Sequence, residues 1–154
     1  MIRFASELVI ERSAAEVWRY AADIGRHPEW MGVTDARVTD GEGTELGSRG
    51  IEWLKRGPRS IAVDVEVTAS DPGRRIAWTF GARGPLHGDV ALDLEEVASN
   101  RTRAVWSGSL GLSGLLRLIE PLMAAELRSG EAGELRRLKE NLEAAPSQPI
   151  AAAS

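Results

Sequence analysis

A regular alternation of apolar and polar side chains runs through Ser60-Ile61-Ala62-Val63-Asp64-Val65-Glu66-Val67-Thr68. Successive side chains of a β-strand point to opposite faces, so this period of two predicts a strand with one apolar face and one polar face. A sheet that is wet on one side must cover its other side with another element of the fold.

The same period extends over about eighty residues around this stretch. It predicts a first strand over residues 2–10 and six more strands: Val33–Asp40, Gly47–Lys55, Ser60–Ser70, Arg74–Ala82, His87–Val97 and Arg101–Leu112. Short segments rich in Gly, Pro and Asn separate the last six, which is typical of hairpins. Because parallel strands need long crossovers, the pattern predicts an antiparallel meander.

Helices are predicted on both sides of this strand region. Ser13 and Glu16 form a capping box for a short helix over residues 14–22, and Pro28 opens a second short turn. Residues 113–144 carry leucines at steps of three and four, which predicts a long amphipathic helix able to cover the apolar face. Pro121 either kinks this helix or marks the start of its longer half. The predicted fold class is therefore α+β.

Composition limits the function classes. The chain has 154 residues, 43% of them hydrophobic and 27% charged, which suits one domain over residues 1–145 with a disordered tail over 146–154. There is no cysteine and only two histidines, so we expect no disulfide, no metal centre and no cofactor. The net charge of −4 argues against nucleic acid as a partner.

Targeting signals are not expected. A charge at Arg3 interrupts the N-terminal segment before an apolar stretch can form, so no signal peptide is predicted. No uninterrupted apolar run approaches the ~20 residues of a membrane helix. We expect a cytoplasmic protein without a membrane span, and a homodimer is left open.

Two motifs carry a resemblance to a known family. The first is Ser13-x-x-Glu16-Val17-Trp18-x-Tyr20-x-x-Asp23 followed by His27-Pro28-x-Trp30, and the second is Leu138-Lys139-x-x-Leu142-Glu143. They resemble the opening and the final helix of the START-like (SRPBCC) superfamily, in particular its polyketide cyclase/dehydrase and lipid-transport branch. The resemblance covers roughly residues 2–143. It implies a helix-grip fold, in which a curved antiparallel sheet of about seven strands wraps around the C-terminal helix, with two short helices after the first strand.

The same resemblance implies an internal cavity between the sheet and the helix. Strand parity places Trp78 and Trp106 on the inward face, and we expect Trp53 to face inward with Ile51. The expected ligand-binding residues are Trp30, Trp53, Trp78, Phe80, Leu92, Trp106, Met123 and Leu127. We further expect residues 26–32 and 123–130 to form a movable gate over a fixed floor of Trp78 and Trp106, so that Trp30→Ala costs little stability.

No known catalytic motif is present, and no catalytic residue is assigned. Parity turns His87 and Asp89 toward solvent, His27 is expected to be a turn residue, and Asp23 is expected to cap the first helical turn. Arg49, Glu52 and Lys55 are expected on a solvated strand face, although an inward Arg49 or Glu52 would indicate a polar ligand group. Several charged residues are assigned to the wet face of the terminal helix: Glu131, Glu134, Arg136, Arg137, Lys139 and Glu140.

Three functions remain open from the sequence. The leading hypothesis is binding of a small hydrophobic molecule such as a lipid, a polyketide or an aromatic metabolite. The alternative is an aromatase/cyclase-type enzyme, with Tyr20 and Arg49 as the first candidates for proton transfer. A protein-interaction module is the third, but it would need an apolar outer sheet face, and Asp64, Glu66, Asp89 and Asp93 argue against that.

Overall fold

A computed structural model describes residues 1–146 and shows seven strands, three α-helices and two short 3-10 helices. The N-terminal region holds strand β1, helix α1 (Ala14–Ala21), a 3-10 turn (Ile24–Arg26) and helix α2 (His27–Trp30). A second 3-10 helix (Gly114–Ile119) leads into the terminal helix α3 (Glu120–Ala144). The strands are β1 (Ile2–Ile10), β2 (Asp35–Asp40), β3 (Arg49–Arg56), β4 (Arg59–Asp71), β5 (Arg75–Phe80), β6 (Leu86–Ala98) and β7 (Arg101–Leu112).

All seven strands form one antiparallel sheet in the order β1-β7-β6-β5-β4-β3-β2. Strands β2 to β7 follow one another as the predicted meander, and β1 closes the far edge by pairing with β7, with Ile2 opposite Leu110. Strands β4 to β7 turn the predicted apolar parity toward the helices: Val63, Val65, Val67, Ile76, Trp78, Val90, Leu92, Ala104 and Trp106 are all buried. The α+β helix-grip prediction is confirmed.

The short helices begin where the capping residues predict. The Ser13 Oγ accepts a hydrogen bond from the Glu16 backbone N–H at 3.3 Å, which starts α1. The Asp23 carboxylate accepts from the Gly25 N–H at 2.9 Å and so caps the 3-10 turn, as expected. These caps hold α2 against α3 and the edge strand β2, at one end of the sheet's concave face.

The terminal helix differs from the prediction in its first half. Pro121 stands in the first turn of α3, so it marks the start of the helix and does not kink it. Before it, Leu115 and Leu118 are 87% and 78% exposed, and Leu122 is 84% exposed. The predicted amphipathic pattern therefore fails before Pro121, and the alternative in which Pro121 marks the start of the longer half is confirmed. In the 3-10 segment, residues three apart lie on the same side, and that side faces away from the sheet.

The second half of α3 covers the core as predicted. Leu135, Leu138 and Leu142 are buried against the concave face of the sheet. Within residues 1–146, no helix is both long and apolar enough to cross a membrane. The tail predicted over 146–154 lies outside the described residues except for Pro146, so the domain boundary at residue 145 stays a prediction.

Candidate functional site

A cavity lies between the concave face of the sheet and helix α3. Its sheet wall includes Trp78, Phe80 and Trp106, and the segment after α2 closes one side with Met31. We call this the inner cavity, and its volume is about 80 Å³. A water molecule needs roughly 10–15 Å³ of such space, so the inner cavity has room for several waters or for part of a small organic molecule.

Three of the predicted ligand-binding residues line the inner cavity, and two lie just behind it. Trp78, Phe80 and Trp106 form its aromatic wall. Trp30 has no exposed surface, and its ring packs edge-on against Trp106 with the ring centroids 5.3 Å apart. Leu92 is also fully buried within the core. Trp30 therefore supports the wall from behind, and its burial does not fit the expectation that Trp30→Ala costs little stability.

The segment around Trp30 is also tied down by polar contacts. The Arg137 guanidinium donates to the Trp30 carbonyl at 3.0 Å, and the Asn141 side-chain amide donates to the Glu29 carbonyl at 2.8 Å. Both donors come from the second half of α3, so the loop is hydrogen-bonded to the part of this helix that covers the core. The movable gate expected over residues 26–32 stays a prediction.

Met123 and Leu127 line a separate, apolar outer cavity of about 220 Å³. Its walls also include Ile61 from β4 and Leu86 from β6. Leu54 on β3 lines both cavities. The two spaces therefore adjoin at this side chain, with aromatic and polar groups on the inner side and aliphatic groups on the outer side.

Trp53 faces away from both cavities. In the antiparallel pair, Glu52 stands opposite Val63 and Leu54 opposite Ile61, so Glu52 and Leu54 share the inward face. Trp53 lies on the outer face, where the Arg37 guanidinium sits 5.8 Å from its ring centroid. The expected inward orientation of Trp53 and Ile51 is wrong, because their size suggested burial while the pairing with β4 sets the opposite parity.

The inner cavity contains a buried pair formed by His27 and Glu52. The His27 Nδ1 is hydrogen-bonded to the Glu52 carboxylate, and both side chains are buried. The expectations that His27 is a turn residue and that Glu52 is solvated are therefore wrong. His27 stands in the first turn of α2, which inserts beneath β3, and Glu52 occupies the inward parity of β3.

Aromatic rings enclose the rest of the imidazole. The Trp78 ring meets it edge-on with centroids 4.8 Å apart, and the Trp30 ring does so at 6.0 Å. Among the described residues, no group is hydrogen-bonded to His27 Nε2. A carboxylate on one ring nitrogen orients the imidazole and favours a proton on Nδ1, which leaves Nε2 as the nitrogen able to accept or deliver a proton.

Helix α3 contributes two acidic side chains to the lining of the inner cavity. Glu131 and Glu134 are hydrogen-bonded to each other, the Trp106 Nε1–H donates to Glu131 at 3.0 Å, and the Gly32 N–H donates to Glu134 at 2.6 Å. Burial, and after it the charge of Glu131, raises the pKa of Glu134 well above its ordinary value. Burial also raises the pKa of Glu131. The raised pKa values favour a protonated carboxyl in this pair. Both side chains are partly buried in the cavity lining, so their assignment to a wet helix face is wrong.

Comparison with known proteins agrees with this geometry. The family model for polyketide cyclase / dehydrase and lipid transport matches residues 1–143. The chain belongs to this family. Its fold is the helix-grip fold described above, and solved structures with this fold align over nearly its whole length. No match was found among curated proteins.

Several solved structures resemble this helix-grip domain. TTHA0849 from Thermus thermophilus has a TM-score of 0.73 at 18% identity, covering 94% of this chain and 99% of that chain. The ZhuI aromatase/cyclase from Streptomyces sp. R1128 has a TM-score of 0.72 at 13% identity, covering 92% and 93%. The di-domain aromatase/cyclase BexL of the BE-7585A biosynthetic pathway has a TM-score of 0.67 at 19% identity, covering 93% and 47%. At these identities the likeness shows the fold.

The other candidate residues of this helix-grip domain lie outside the inner cavity. Arg49 is exposed and pairs with Glu66, with 3.2 Å between the Arg49 Nε and a carboxylate oxygen. The Tyr20 hydroxyl accepts from the Asn141 amide at 3.3 Å in a separate surface groove, and burial raises the pKa of Tyr20. His87 contacts the Ser113 hydroxyl at 3.2 Å near the start of β6. In residues 1–146 no group of His, Asp and Glu has the arrangement of a metal site.

One sequence signal could have identified the acidic pair. Along α3 a spacing of three and four runs from the partly buried Leu127, Glu131 and Glu134 to the fully buried Leu138. Two carboxyls therefore occupy positions where the periodicity calls for apolar side chains. A polar residue at a core position of an amphipathic helix indicates a functional site or a buried network.

Proposed function

We propose that this domain binds a small hydrophobic molecule that carries a polar group, within the inner and outer cavities. The observation that carries the proposal is the chemical division of the two spaces at Leu54. The inner cavity offers tryptophan rings, the His27–Glu52 pair and the Glu131–Glu134 pair, whereas the outer cavity is lined by aliphatic side chains. An aromatic or carbonyl head group with an apolar tail fits this division, as in a lipid or a polyketide.

Ligand binding can be measured by thermal shift and by quenching of tryptophan fluorescence. We expect naphthols and other hydroxylated aromatic compounds with short alkyl tails to raise the melting temperature, because a ligand that binds only the folded state stabilises it by mass action. They should also quench the emission of Trp78 and Trp106. Failure of every such compound in both measurements would contradict the proposal.

A pair of matched variants locates the binding site. Val33 lines the inner cavity, so Val33→Trp adds a bulky ring there and should abolish binding. Val97 is 49% exposed on β6 and makes the equivalent Val97→Trp change outside the cavity, where binding should be retained. Binding that survives Val33→Trp would place the ligand elsewhere.

A second candidate function is proton transfer of the aromatase/cyclase type. The observation in its favour is the buried imidazole held by a carboxylate beside a pair of carboxyls. The raised pKa of Glu134 favours its protonated form, so these groups can supply a general base and a general acid. The sequence had indicated binding partly because no acid–base cluster was visible. Tyr20 and Arg49, the candidates chosen from the sequence, lie outside the inner cavity.

Deuterium exchange tests this candidate directly. A small aromatic 1,3-diketone in D₂O exchanges the methylene hydrogens between its carbonyls, and NMR follows the loss of their signal. An active cavity should accelerate this exchange over buffer, and His27→Gln should remove the acceleration while ligand binding persists. If the diketone binds but exchanges no faster than in buffer, the result contradicts the proton-transfer function and supports ligand binding alone.

A further inference from the structure

The segment that leads from β7 into α3 exposes a row of large apolar side chains. Leu115, Leu118 and Leu122 are each more than three-quarters exposed, and Leu116 and Ile119 are 44% and 41% exposed. Folded domains seldom leave so many neighbouring leucines in water without a partner surface. These residues are therefore the strongest unexplained feature of the surface.

The exposed leucines stand beside the outer cavity. Leu116 and Ile119 line it together with Ile61, next to the β3–β4 turn, and Pro85 and Leu86, next to the β5–β6 turn. The Ser113 N–H also donates to the Pro85 carbonyl at 2.8 Å. One end of the molecule thus gathers two sheet turns and the 3-10 segment around an apolar cavity. We call it the leucine end, formed by residues 55–61, 83–86 and 113–122.

The charge of the leucine end is positive, although the chain as a whole carries −4. Lys55, Arg59, Arg83 and Arg117 are all exposed there. No Asp or Glu occurs in residues 53–62, 81–88 or 111–119. The next carboxylate, Glu120, is buried and is bonded to the Met1 amine and, at 3.2 Å, to the Leu112 N–H.

We propose that the leucine end docks this protein on the surface of an anionic lipid membrane. Exposed leucines enter the boundary between head groups and acyl chains, and the surrounding arginines and lysine pair with anionic head groups. The charge pattern favours this occupant, because exposed apolar residues surrounded by basic ones, with no exposed acidic residue in the leucine end, match an anionic interface. The contact is peripheral and agrees with the lack of a spanning helix in residues 1–146.

A second copy of the chain fits the leucine end less well. A twofold interface brings the same patch of both subunits together, so the basic residues Arg59, Arg83 and Arg117 of one subunit would lie close to the basic residues of the other. Like charges placed against each other oppose association. A membrane places anionic groups against the same arginines, and the outer cavity then opens toward the acyl chains.

Vesicle flotation tests the proposal with the unmodified chain. One set of vesicles is made of phosphatidylcholine alone, and the other of equal parts phosphatidylcholine and phosphatidylglycerol. We expect the protein to float with the anionic vesicles at low salt, to bind the neutral ones weakly, and to be released as salt screens the charges. Absence of flotation with anionic vesicles at low salt overturns the proposal, whatever ligand the cavities bind.

Two kinds of variant locate the contact. Leu115→Ser, Leu118→Ser and Leu122→Ser change exposed side chains, so the fold should survive, and together they should lower the partition coefficient by about tenfold or more. Arg83→Glu changes the charge by two units and should lower the partition coefficient by about 25-fold, since each unit of charge near an anionic surface changes it about fivefold. Melting curves confirm that each variant is folded.

Arg74→Glu is the matched control. Arg74 is an exposed arginine in the β4–β5 turn, at the opposite end of the sheet, and gives the same change in net charge. It should bind almost as the unmodified chain does. Equal loss in Arg74→Glu and Arg83→Glu overturns the assigned surface, as does self-association that the leucine changes abolish without any vesicle binding.

Discussion

At the scale of single residues, Trp30 illustrates how burial changes a functional interpretation. Its indole has no exposed surface and lies edge-on to both His27 and Trp106. A ring in that position fixes the imidazole and the cavity wall, and its removal leaves a void that the surrounding rings cannot fill. Trp30 therefore contributes to the site by holding it in shape.

Trp30→Ala should destabilise the domain by about 3–5 kcal/mol, as Trp78→Ala should, because both truncate fully buried rings. Urea unfolding monitored by circular dichroism measures the loss. The control is Trp53→Ala, which removes a half-exposed ring from the outer face and should cost about 1–2 kcal/mol. If Trp30→Ala lowers the free energy of unfolding no more than the control does, the result supports a place for Trp30 in a movable gate.

The raised pKa of Glu134 predicts how stability depends on pH. A carboxyl whose pKa is higher in the folded chain binds its proton more tightly when folded, so its contribution to stability is complete below its ordinary pKa of 4.5 and falls as pH rises toward the folded value. Glu134→Gln has no proton to lose. The free energy of unfolding of Glu134→Gln should therefore increase relative to that of the unmodified chain as pH rises above 4.5.

Thermal melting from pH 4 to pH 8 measures this difference. Glu140→Gln is the control, since Glu140 is an exposed carboxylate on the same helix and its substitution removes the same charge. Its stability should run parallel to that of the unmodified chain over the whole range. A parallel curve for Glu134→Gln as well would show that the carboxyl pair is not proton-linked to folding.

At the scale of elements, helix α3 has two halves with different environments. From Leu135 onward it buries leucines against the sheet, whereas its first turns carry exposed residues and two glycines. A Cβ atom at Gly130 or Gly133 would meet no other atom within 4 Å. Space is therefore available for a side chain at both positions, and the two glycines only make the helix less stable.

Gly130→Ala and Gly133→Ala should each stabilise the domain by about 0.5–1 kcal/mol, because alanine lowers the backbone entropy of the unfolded chain and suits a helix. Denaturant unfolding measures the gain. Gly47→Ala is the control: its Cβ also meets nothing within 4 Å, but its φ of 86° is unfavourable for alanine, so this change should destabilise. Destabilisation by Gly130→Ala would indicate a constraint on the helix beyond its own backbone.

At the scale of the whole molecule, stability should be uneven along the chain. The central strands pair on both sides, and their inward side chains are buried. The leucine end and the first turns of α3 have few buried contacts. Local opening occurs first where burial is least, so the outer cavity lies in the region that opens most easily.

Hydrogen exchange followed by NMR should show this gradient. Amides of residues 124–130 should exchange at least about tenfold faster than those of residues 135–142, although both groups are hydrogen-bonded within one helix. The comparison leaves out the first turn of α3, whose N–H groups lack helical partners in any case. Uniform protection against exchange along α3 would contradict a mobile first half of the helix. It would also contradict easy opening of the outer cavity.

Local sequence patterns were sufficient to predict the order of elements, most strand bounds and the inward face of β4 to β7. These depend on local periodicity, as in Ile76, Trp78 and Phe80, and on turn and cap residues whose preferences act over a few positions. The family resemblance identified the helix-grip arrangement on the same local motifs. The aromatic wall of Trp78, Phe80 and Trp106 followed from parity alone.

Which polar groups meet inside the cavity depends on how distant segments of the chain pack together. His27 and Glu52 are 25 residues apart, and Trp106 and Glu131 are likewise 25 apart, so neither contact follows from local spacing. A buried carboxyl at a helix position looks the same in sequence as a solvated one, because its burial depends on the sheet packed against it. Trp53 was misplaced for the same reason: the side of the sheet that a strand presents is set by pairing with its neighbour, and local hydrophobicity did not outweigh that pairing.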